Sequence, residues 1–373
     1  MRSQLIKEAR RIVVKVGSSL VASRESGLRP ERIDHIADDV TGVQKSGREV
    51  LLVSSGAIIS GIQKLGLASY PKNLPEKQAA AAVGQSRLMW AYEKAFERFG
   101  GSVAQVLLTH QDLADRRRFL NARHTLTTLL GLGVTPIINE NDTVAVDEIR
   151  FGDNDTLAGQ VAHLVDADLL IILSDVDGLF TEDPRKNPDA KLIPLVTEIT
   201  RDIEQRAGVT TTFEGTGGMA TKIQTAKKVA QFGVPTLITN GISAGTLRAV
   251  LEGAEVGTFI RPREHPLNSR KHWIAFTLKP KGQLVLDEGA VEALTRRGKS
   301  LLPSGVSDLH GDFGPGDAVV CTDPRGKEIA KGLVNFTADT LRRIKGLKTG
   351  EIRKTIGLQE YEEVIHRDNL VIL

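Results

Sequence analysis

The sequence predicts an α/β protein: a mostly parallel sheet with helices on both faces, followed by a small, mostly-β domain. Short runs rich in β-branched residues alternate with longer amphipathic or alanine-rich stretches through roughly the first two-thirds of the chain. Those runs are almost continuously apolar, as strands buried on both faces are. Near residues 261–273 the texture changes to RPREHPLNSRKHW, with two prolines and a charge cluster, and turn-rich sequence follows.

Taken in order, strands are expected at 12–16, 50–53, 103–108, 134–138, 169–173 and 235–239. Helices are expected between them at 30–45, 77–98, 121–130, 156–165 and 218–232. Beyond the linker, strand-like pieces at 283–286, 318–321, 328–334 and 370–373 are separated by the turn segments GDFGPGD and DPRG. The resulting division is a larger domain over 1–262, a linker over 263–277 and a small domain over 278–373. A chain of 373 residues agrees with two domains, or at most three.

Composition excludes several classes of function. With 49 basic against 46 acidic residues the net charge is only +3, which does not favour a general polyanion-binding surface. Aromatic residues make up 4%, too few for a stacking platform for single-stranded nucleic acid. One cysteine, Cys321, cannot form an intrachain disulfide, so a reducing, cytoplasmic setting is expected. The first residues lack a signal-peptide core, and the most apolar stretch, 167–173, is too short to span a bilayer. The eight histidines form no H-E-x-x-H motif and the lone cysteine has no metal-binding partner in sequence, which argues against zinc. There are 36 glycines, well above the usual share, and they are expected at turns and ligand loops.

In a parallel sheet ligands bind beyond the carboxyl ends of the strands, so the residues following each strand carry the functional signal. The first strand runs into KVGSSL. Lys15 inside an apolar strand, followed by Gly17, Ser18 and Ser19, would place an ammonium and free backbone N–H groups at one strand end, a sensible phosphate site. By itself such a lysine reads equally well as an edge-strand residue. The second strand runs into SSGAI, where Gly56 permits close backbone approach at a helix N-terminus. The fourth is followed by INENDTVAVDEIRFGDND, a loop over 138–155 rich in asparagine and carboxylates; such loops are usually solvated surface, but directly after a buried strand at the ligand-binding edge this one suits a zwitterionic small molecule. It lacks the ligand spacing of a calcium loop. The fifth strand ends in SDVDGLFTEDPRKNP, which reads as a hairpin.

Then comes EGTGGMATK. Thr216 is a good helix N-cap, Gly217 and Gly218 open the turn, and Lys222 leans back toward an anion held by the loop amides. The segment is no dinucleotide fingerprint, because no buried strand precedes it and Thr239 and Asn240, not an acid, close the next strand. Gly298-Lys299-Ser300 is no Walker sequence either, since Ala293 stands at the first glycine position.

Read together and in this order, KVGSS, VSSGA, AAVGQSRL, DRRRFLNAR, INENDTV, GDND, SDVDGLFTEDP and GTGGMATK resemble the glutamate 5-kinases of the amino-acid-kinase family. LDEGAVEAL, KSLLPSGV and HRDNL resemble that family's C-terminal PUA domain. The resemblance covers essentially the whole chain. It implies a three-layer αβα sandwich (the amino-acid-kinase fold) with a PUA-like tail, and phosphoryl transfer from ATP, with Mg2+, to the side-chain carboxylate of L-glutamate in proline biosynthesis. Lys15 would stabilise the transferring phosphoryl group, Lys222 would hold the nucleotide phosphates and Asp155 would orient both lysines. Gly17 and Gly56 would bring N–H groups close. Ser55, Asp142 and Asn154 match glutamate-binding positions, and Ser174 and Asp175, with Thr216, Gly217, Gly218, Met219, Ala220, Thr221 and Lys222, match nucleotide-binding segments. No residue is nominated as a metal ligand. The resemblance also implies inhibition by proline and a homo-oligomer, dimer or tetramer. PUA domains commonly bind RNA, but residues 281–360 hold 13 basic and 11 acidic side chains, which does not favour it. The alternative acceptor class is that of a sister kinase acting on acetylglutamate, aspartate or a nucleoside monophosphate; INENDTV and GDND fit free glutamate best.

Overall fold

The first strand, β1 (Arg11–Val16), lies inside an eight-stranded sheet with parallel neighbours on both sides. In a computed structural model of the chain, residues 2–145, 154–208, 218–263, 271, 274, 278–347, 351–352 and 362–373 are described. The chain divides into two compact units, Met1–Pro266 and Leu267–Leu373.

The larger unit begins with α1 (Arg2–Glu8) and β1, then α2 (Ser18–Val21), β2 (Ala22–Ser23), β3 (Gly27–Leu28) and α3 (Pro30–Lys45). Next come β4 (Glu49–Ser54), α4 (Ala57–Leu65), α5 (Leu74–Arg98), β5 (Ser102–Leu108), α6 (His110–Ala114), α7 (Arg116–Gly131) and β6 (Val134–Glu140). It continues with α8 (Asn154–Leu164), β7 (Leu169–Ser174), β8 (Leu195–Val196) and α9 (Arg201–Gly208). It closes with α10 (Met219–Ala230), β9 (Thr236–Asn240), α11 (Thr246–Glu252) and β10 (Thr258–Ile260). The sheet order is β5-β6-β4-β1-β7-β9-β10-β8, and only the β9–β10 pairing is antiparallel. The register brings Val16 level with Ser54 and Leu173, and Ser174 level with Asn240, so these strands end along one edge.

Successive strand residues face opposite sides of the sheet. Ile12, Val14 and Val16 join α3, α5 and α11 in one core, with Ile33, Val40, Leu88, Phe96 and Val250. Val13 joins α7, α8 and α10 in the other, with Leu126, Val161, Ile223 and Val229. Each such buried side chain is worth about 1.5–3 kcal/mol. Lys15 follows Val13 by two residues, so it shares the face covered by α8 and α10. The edge-strand reading of this lysine does not hold: β1 is flanked on both sides and Lys15 is 4% exposed.

Helix starts differ from expectation where capping side chains act. α5 begins before residue 77 because Asn73 Oδ1 accepts from Glu76 N at 2.9 Å and a proline occupies its first turn. α7 begins at Arg116 because Asp115 Oδ1 accepts from Arg118 N at 2.9 Å. The expected hairpin after β7 reduces to a bridge between Phe180 and Leu192 with flanking hydrogen bonds. α4 and α5 cross backbone to backbone: a Cβ on Gly61 would lie 1.8 Å from the Ala80 carbonyl oxygen, and one on Gly84 would lie 1.7 Å from that of Ala57.

The second unit is a five-stranded sheet of β11 (Gly282–Leu286), β12 (Val306–Gly311), β13 (Ala318–Thr322), β14 (Glu328–Leu333) and β15 (Leu370–Ile372). The order is β12-β11-β13-β14-β15, with only β11 and β13 parallel. Leu284, Val319, Cys321, Ala330, Leu341 and Ile365 form its core. Sequence patterning missed β12, whose pairing shifts register beside Val285 and Leu286. It also missed the helix Glu288–Arg297, which fully buries only Leu294. No helix among the described residues is long and apolar enough to cross a membrane.

Candidate active site

Three ionised side chains converge at the carboxyl end of β1. Lys15 Nζ lies 2.6 Å from Asp155 Oδ1, and Lys222 Nζ donates to Asp155 Oδ2 at 3.0 Å. α8 begins two residues before its expected start, which puts Asp155 in its first turn, and Lys222 comes from the first turn of α10. Thr221 Oγ1 also donates to Asp155 Oδ2, at 3.1 Å, and shares its proton with the Gly218 carbonyl at 2.8 Å. All three charged residues are withdrawn from water. Burial alone would raise the pKa of Asp155, but Lys15 and then Lys222 outweigh it and hold the carboxyl well below its usual range. The triad therefore carries two ammoniums and one carboxylate, a sum of +1 in a water-poor setting where an anion is strongly favoured.

Beside it stands a row of uncharged polar groups. Asn154 Nδ2 donates to Ser55 Oγ at 2.9 Å, to the Ser54 carbonyl at 3.1 Å and to Asn139 Oδ1 at 2.9 Å. Asn139 Nδ2 donates to Gln85 Oε1 at 2.8 Å, and Ser54 Oγ shares a 2.8 Å bond with the buried Tyr92 hydroxyl. Asp142 is half-buried past the end of β6, and burial pushes its pKa up to about 6. Tyr70 is raised by burial and by the Asp142 charge, and its ring faces Arg24 at 5.7 Å and Lys77 at 5.8 Å.

On the other side of β1, Ser174 closes β7, accepts Gly241 N on its carbonyl at 2.8 Å and donates its hydroxyl to Asp175 Oδ1 at 3.2 Å. Gly56 holds φ 111° as it leads into α4, and an added Cβ there would meet Val21 at 2.8 Å, so only glycine fits.

Three expectations need correction. The Gly17 amide is not free: it donates to the Leu173 carbonyl at 3.2 Å, extending the sheet by one bond. The N-cap of α10 is Gly218, not Thr216, because the helix starts only at Met219. Met219 buries its side chain in the core, and Ala220 is partly buried. Thr216, Gly217 and the part of the acceptor loop over 146–153 lie outside the described residues. The expected loop at 138 starts later, since β6 runs through Glu140 and makes Asn139 a buried strand residue. Gln85, Ser54, Tyr92 and Tyr70 were given no role from sequence; AAVGQSRL was the available signal for Gln85. Among the described residues, no group of three or more His, Cys, Asp or Glu side chains is placed to hold a metal ion.

The amino acid kinase family profile matches residues 10–240, and the PUA domain profile matches residues 282–356. The chain is 52% identical to the glutamate 5-kinase of Geobacter sulfurreducens, covering 100% of both chains. It is 52% identical to that of Moorella thermoacetica, covering 99% of this chain and 97% of the other. The solved UMP kinase of Bacillus anthracis aligns at 18% identity with a TM-score of 0.47, covering 68% of this chain and 96% of that one. The chain belongs to the amino acid kinase family and, within it, to the glutamate 5-kinases, with a C-terminal PUA domain.

Proposed function

We propose that the protein transfers the γ-phosphoryl group of ATP to the side-chain carboxylate of L-glutamate, giving L-glutamyl 5-phosphate and ADP in the first step of proline biosynthesis. The observation that carries this reading is the Lys15–Asp155–Lys222 triad standing next to the Ser55–Asn154 pair, in a chain 52% identical to glutamate 5-kinases. A carboxylate oxygen bonds to the γ-phosphorus while the bond from that phosphorus to the β–γ bridging oxygen breaks. A glutamate side chain has a pKa of about 4.3, so it is already ionised near neutral pH and needs no general base. Asp155, held ionised between two ammoniums, is poorly suited to take a proton and acts by orienting them.

The barrier lies in bringing a carboxylate to a triphosphate and in the charge on the group in transit. Positioning and fixed positive charge lower it. Lys15 serves the transferring phosphoryl group, and Lys222, with the Gly218–Thr221 turn, serves the nucleotide phosphates. Ser174 and Asp175 serve the nucleotide from the β7 end. Gly56 allows the backbone to come close, and Gly17 acts by closing the sheet behind Lys15. Ser55, Asn154 and Asp142 bind glutamate, the carboxylate of Asp142 facing its ammonium. Magnesium enters with ATP as part of the substrate, most of its oxygen ligands coming from phosphate and water.

The same reading extends to inhibition by proline at the glutamate site, a homo-oligomer, and a cytoplasmic setting. It divides the chain into a catalytic domain over 1–262, a linker over 263–277 and a PUA domain over 278–373 with a regulatory or assembly role; RNA binding is not favoured. Incubation with ATP, magnesium, L-glutamate and hydroxylamine should yield the hydroxamate of the trapped acyl phosphate. No hydroxamate with glutamate, but product with acetylglutamate, aspartate or a nucleoside monophosphate, overturns the acceptor assignment.

A further inference from the structure

A row of side-chain amides runs from α5 to the acceptor residues, and backbone groups fix which way each amide points. The Ser54 carbonyl can only accept, so the Asn154 atom 3.1 Å from it is the nitrogen. The Glu140 N–H can only donate, so the Asn139 atom 2.9 Å from it is the oxygen. Asn154 Nδ2 donates to that same oxygen at 2.9 Å. Asn139 Nδ2 is then directed at Gln85 Oε1, 2.8 Å away. The three amides thus have one consistent polarity, set by main-chain atoms and not by a choice between nearly identical atoms.

Asn139 is 3% exposed, and among the described residues Gln85 is the one acceptor for its Nδ2. Without Gln85 that donor would be buried and unpaired, which a structure relieves by moving the side chain. Any such movement withdraws the oxygen that holds Asn154. Because Asn154 spends its nitrogen on Ser54, Ser55 and Asn139, its Oδ1 is the atom left to accept from a ligand, as a substrate ammonium requires. Gln85 itself is half-buried, yet its Nε2 is shut off from water with no hydrogen-bond partner among the described residues, a costly placement for an amide. A leucine of similar size would carry no such penalty, so packing alone does not explain the amide.

We propose that Gln85 is a positioning residue for the phosphoryl acceptor, acting through Asn139 to hold the Asn154 amide with its oxygen toward the substrate ammonium. The proposal rests on L-glutamate being the acceptor. The test is steady-state kinetics with the hydroxylamine trap on the full chain, with thermal melting alongside. Q85L should raise KM for glutamate about tenfold, the effect of one lost buried hydrogen bond, and leave KM for ATP, kcat and the melting temperature close to those of the unmodified enzyme. Q85E should keep KM for glutamate near the unmodified value, because a carboxyl group retains an acceptor oxygen facing Asn139. An unchanged glutamate KM in Q85L, an equal rise in KM for ATP, or equal impairment of Q85L and Q85E overturns the proposal while leaving the acceptor assignment intact. If the unmodified enzyme forms no hydroxamate with glutamate, the acceptor assignment fails and this proposal fails with it.

Discussion

Asp155 on α8 holds Lys15 of β1 at 2.6 Å, with neither side chain more than 5% exposed. The same carboxylate also receives Lys222, so its removal would leave two buried ammoniums facing each other. Breaking a buried pair by deleting one partner costs about 3–5 kcal/mol. Asp155→Asn should therefore lower stability by roughly that amount, read as a shift in urea midpoint, and abolish turnover even under conditions where the variant is folded. The carboxyl's depressed pKa gives the sign of the pH effect. Its stabilisation is present above the unfolded-state value and is lost as pH falls through the lower folded-state value. The stability gap between the parent and Asp155→Asn should narrow toward acid. A constant gap from neutral to strongly acid pH would refute this account.

Lys15→Ala and Lys222→Ala behave differently from Asp155→Asn, because each leaves Asp155 paired with the remaining lysine. Both should stay folded and lose turnover severely, about 10²–10³-fold if each acts as a positioned electrostatic stabiliser of the transition state. Lys15→Ala should act mainly on kcat, and Lys222→Ala should also raise KM for ATP. Circular dichroism and initial rates on the same samples separate folding from catalysis. Near-normal turnover in either variant would exclude these lysines from phosphate binding and transfer.

Much of this arrangement is visible in the chain as text, and the part that is not has a physical reason. Uniform apolarity marks the buried strands, and the motifs at their carboxyl ends and at the starts of the following helices hold Lys15, Ser55, Asp155 and Lys222, where the ion triad and the acceptor groups assemble. That Lys15 is central and not marginal depends on which strands flank β1, and pairing order is not a property of one segment. Gln85 escaped because its role lies in an amide row linking α5, β6 and α8, whose members are far apart in sequence. Thr216 misled because a good capping side chain near a helix start does not say which residue makes the last non-helical turn.

Asp142 titrates at about 6 because burial penalises its charge. If its carboxylate receives the glutamate ammonium, substrate affinity must fall as Asp142 takes up a proton. KM for glutamate should be flat above about pH 7 and rise about tenfold per unit below about pH 6, while KM for ATP stays level. The stability effect has the opposite sign to that of Asp155: the raised pKa favours the folded state in acid, and that contribution is lost as pH rises through about 6. Asp142→Asn should have a high glutamate KM that no longer depends on pH in this window. A wild-type profile without an inflection near 6 would exclude Asp142 from ammonium binding.

Gly84 packs directly against the backbone of α4, where an added Cβ would lie 1.7 Å from the Ala57 carbonyl oxygen. Ala57 opens α4 directly after the Ser55–Gly56 turn, so separating the two helices displaces the turn that carries Ser55. Gly84→Ala should cost about 3 kcal/mol as an overpacking strain and raise KM for glutamate more than KM for ATP, since the triad is carried by β1, α8 and α10. Gly131→Ala at the end of α7 is the matched control: its added Cβ meets nothing within 4 Å, and alanine is the better helix former by about 1 kcal/mol. The control should be neutral or slightly stabilising with unchanged kinetics. Urea midpoints and the two KM values decide the matter, because a general loss of helix stability would lower the midpoint without separating glutamate from ATP.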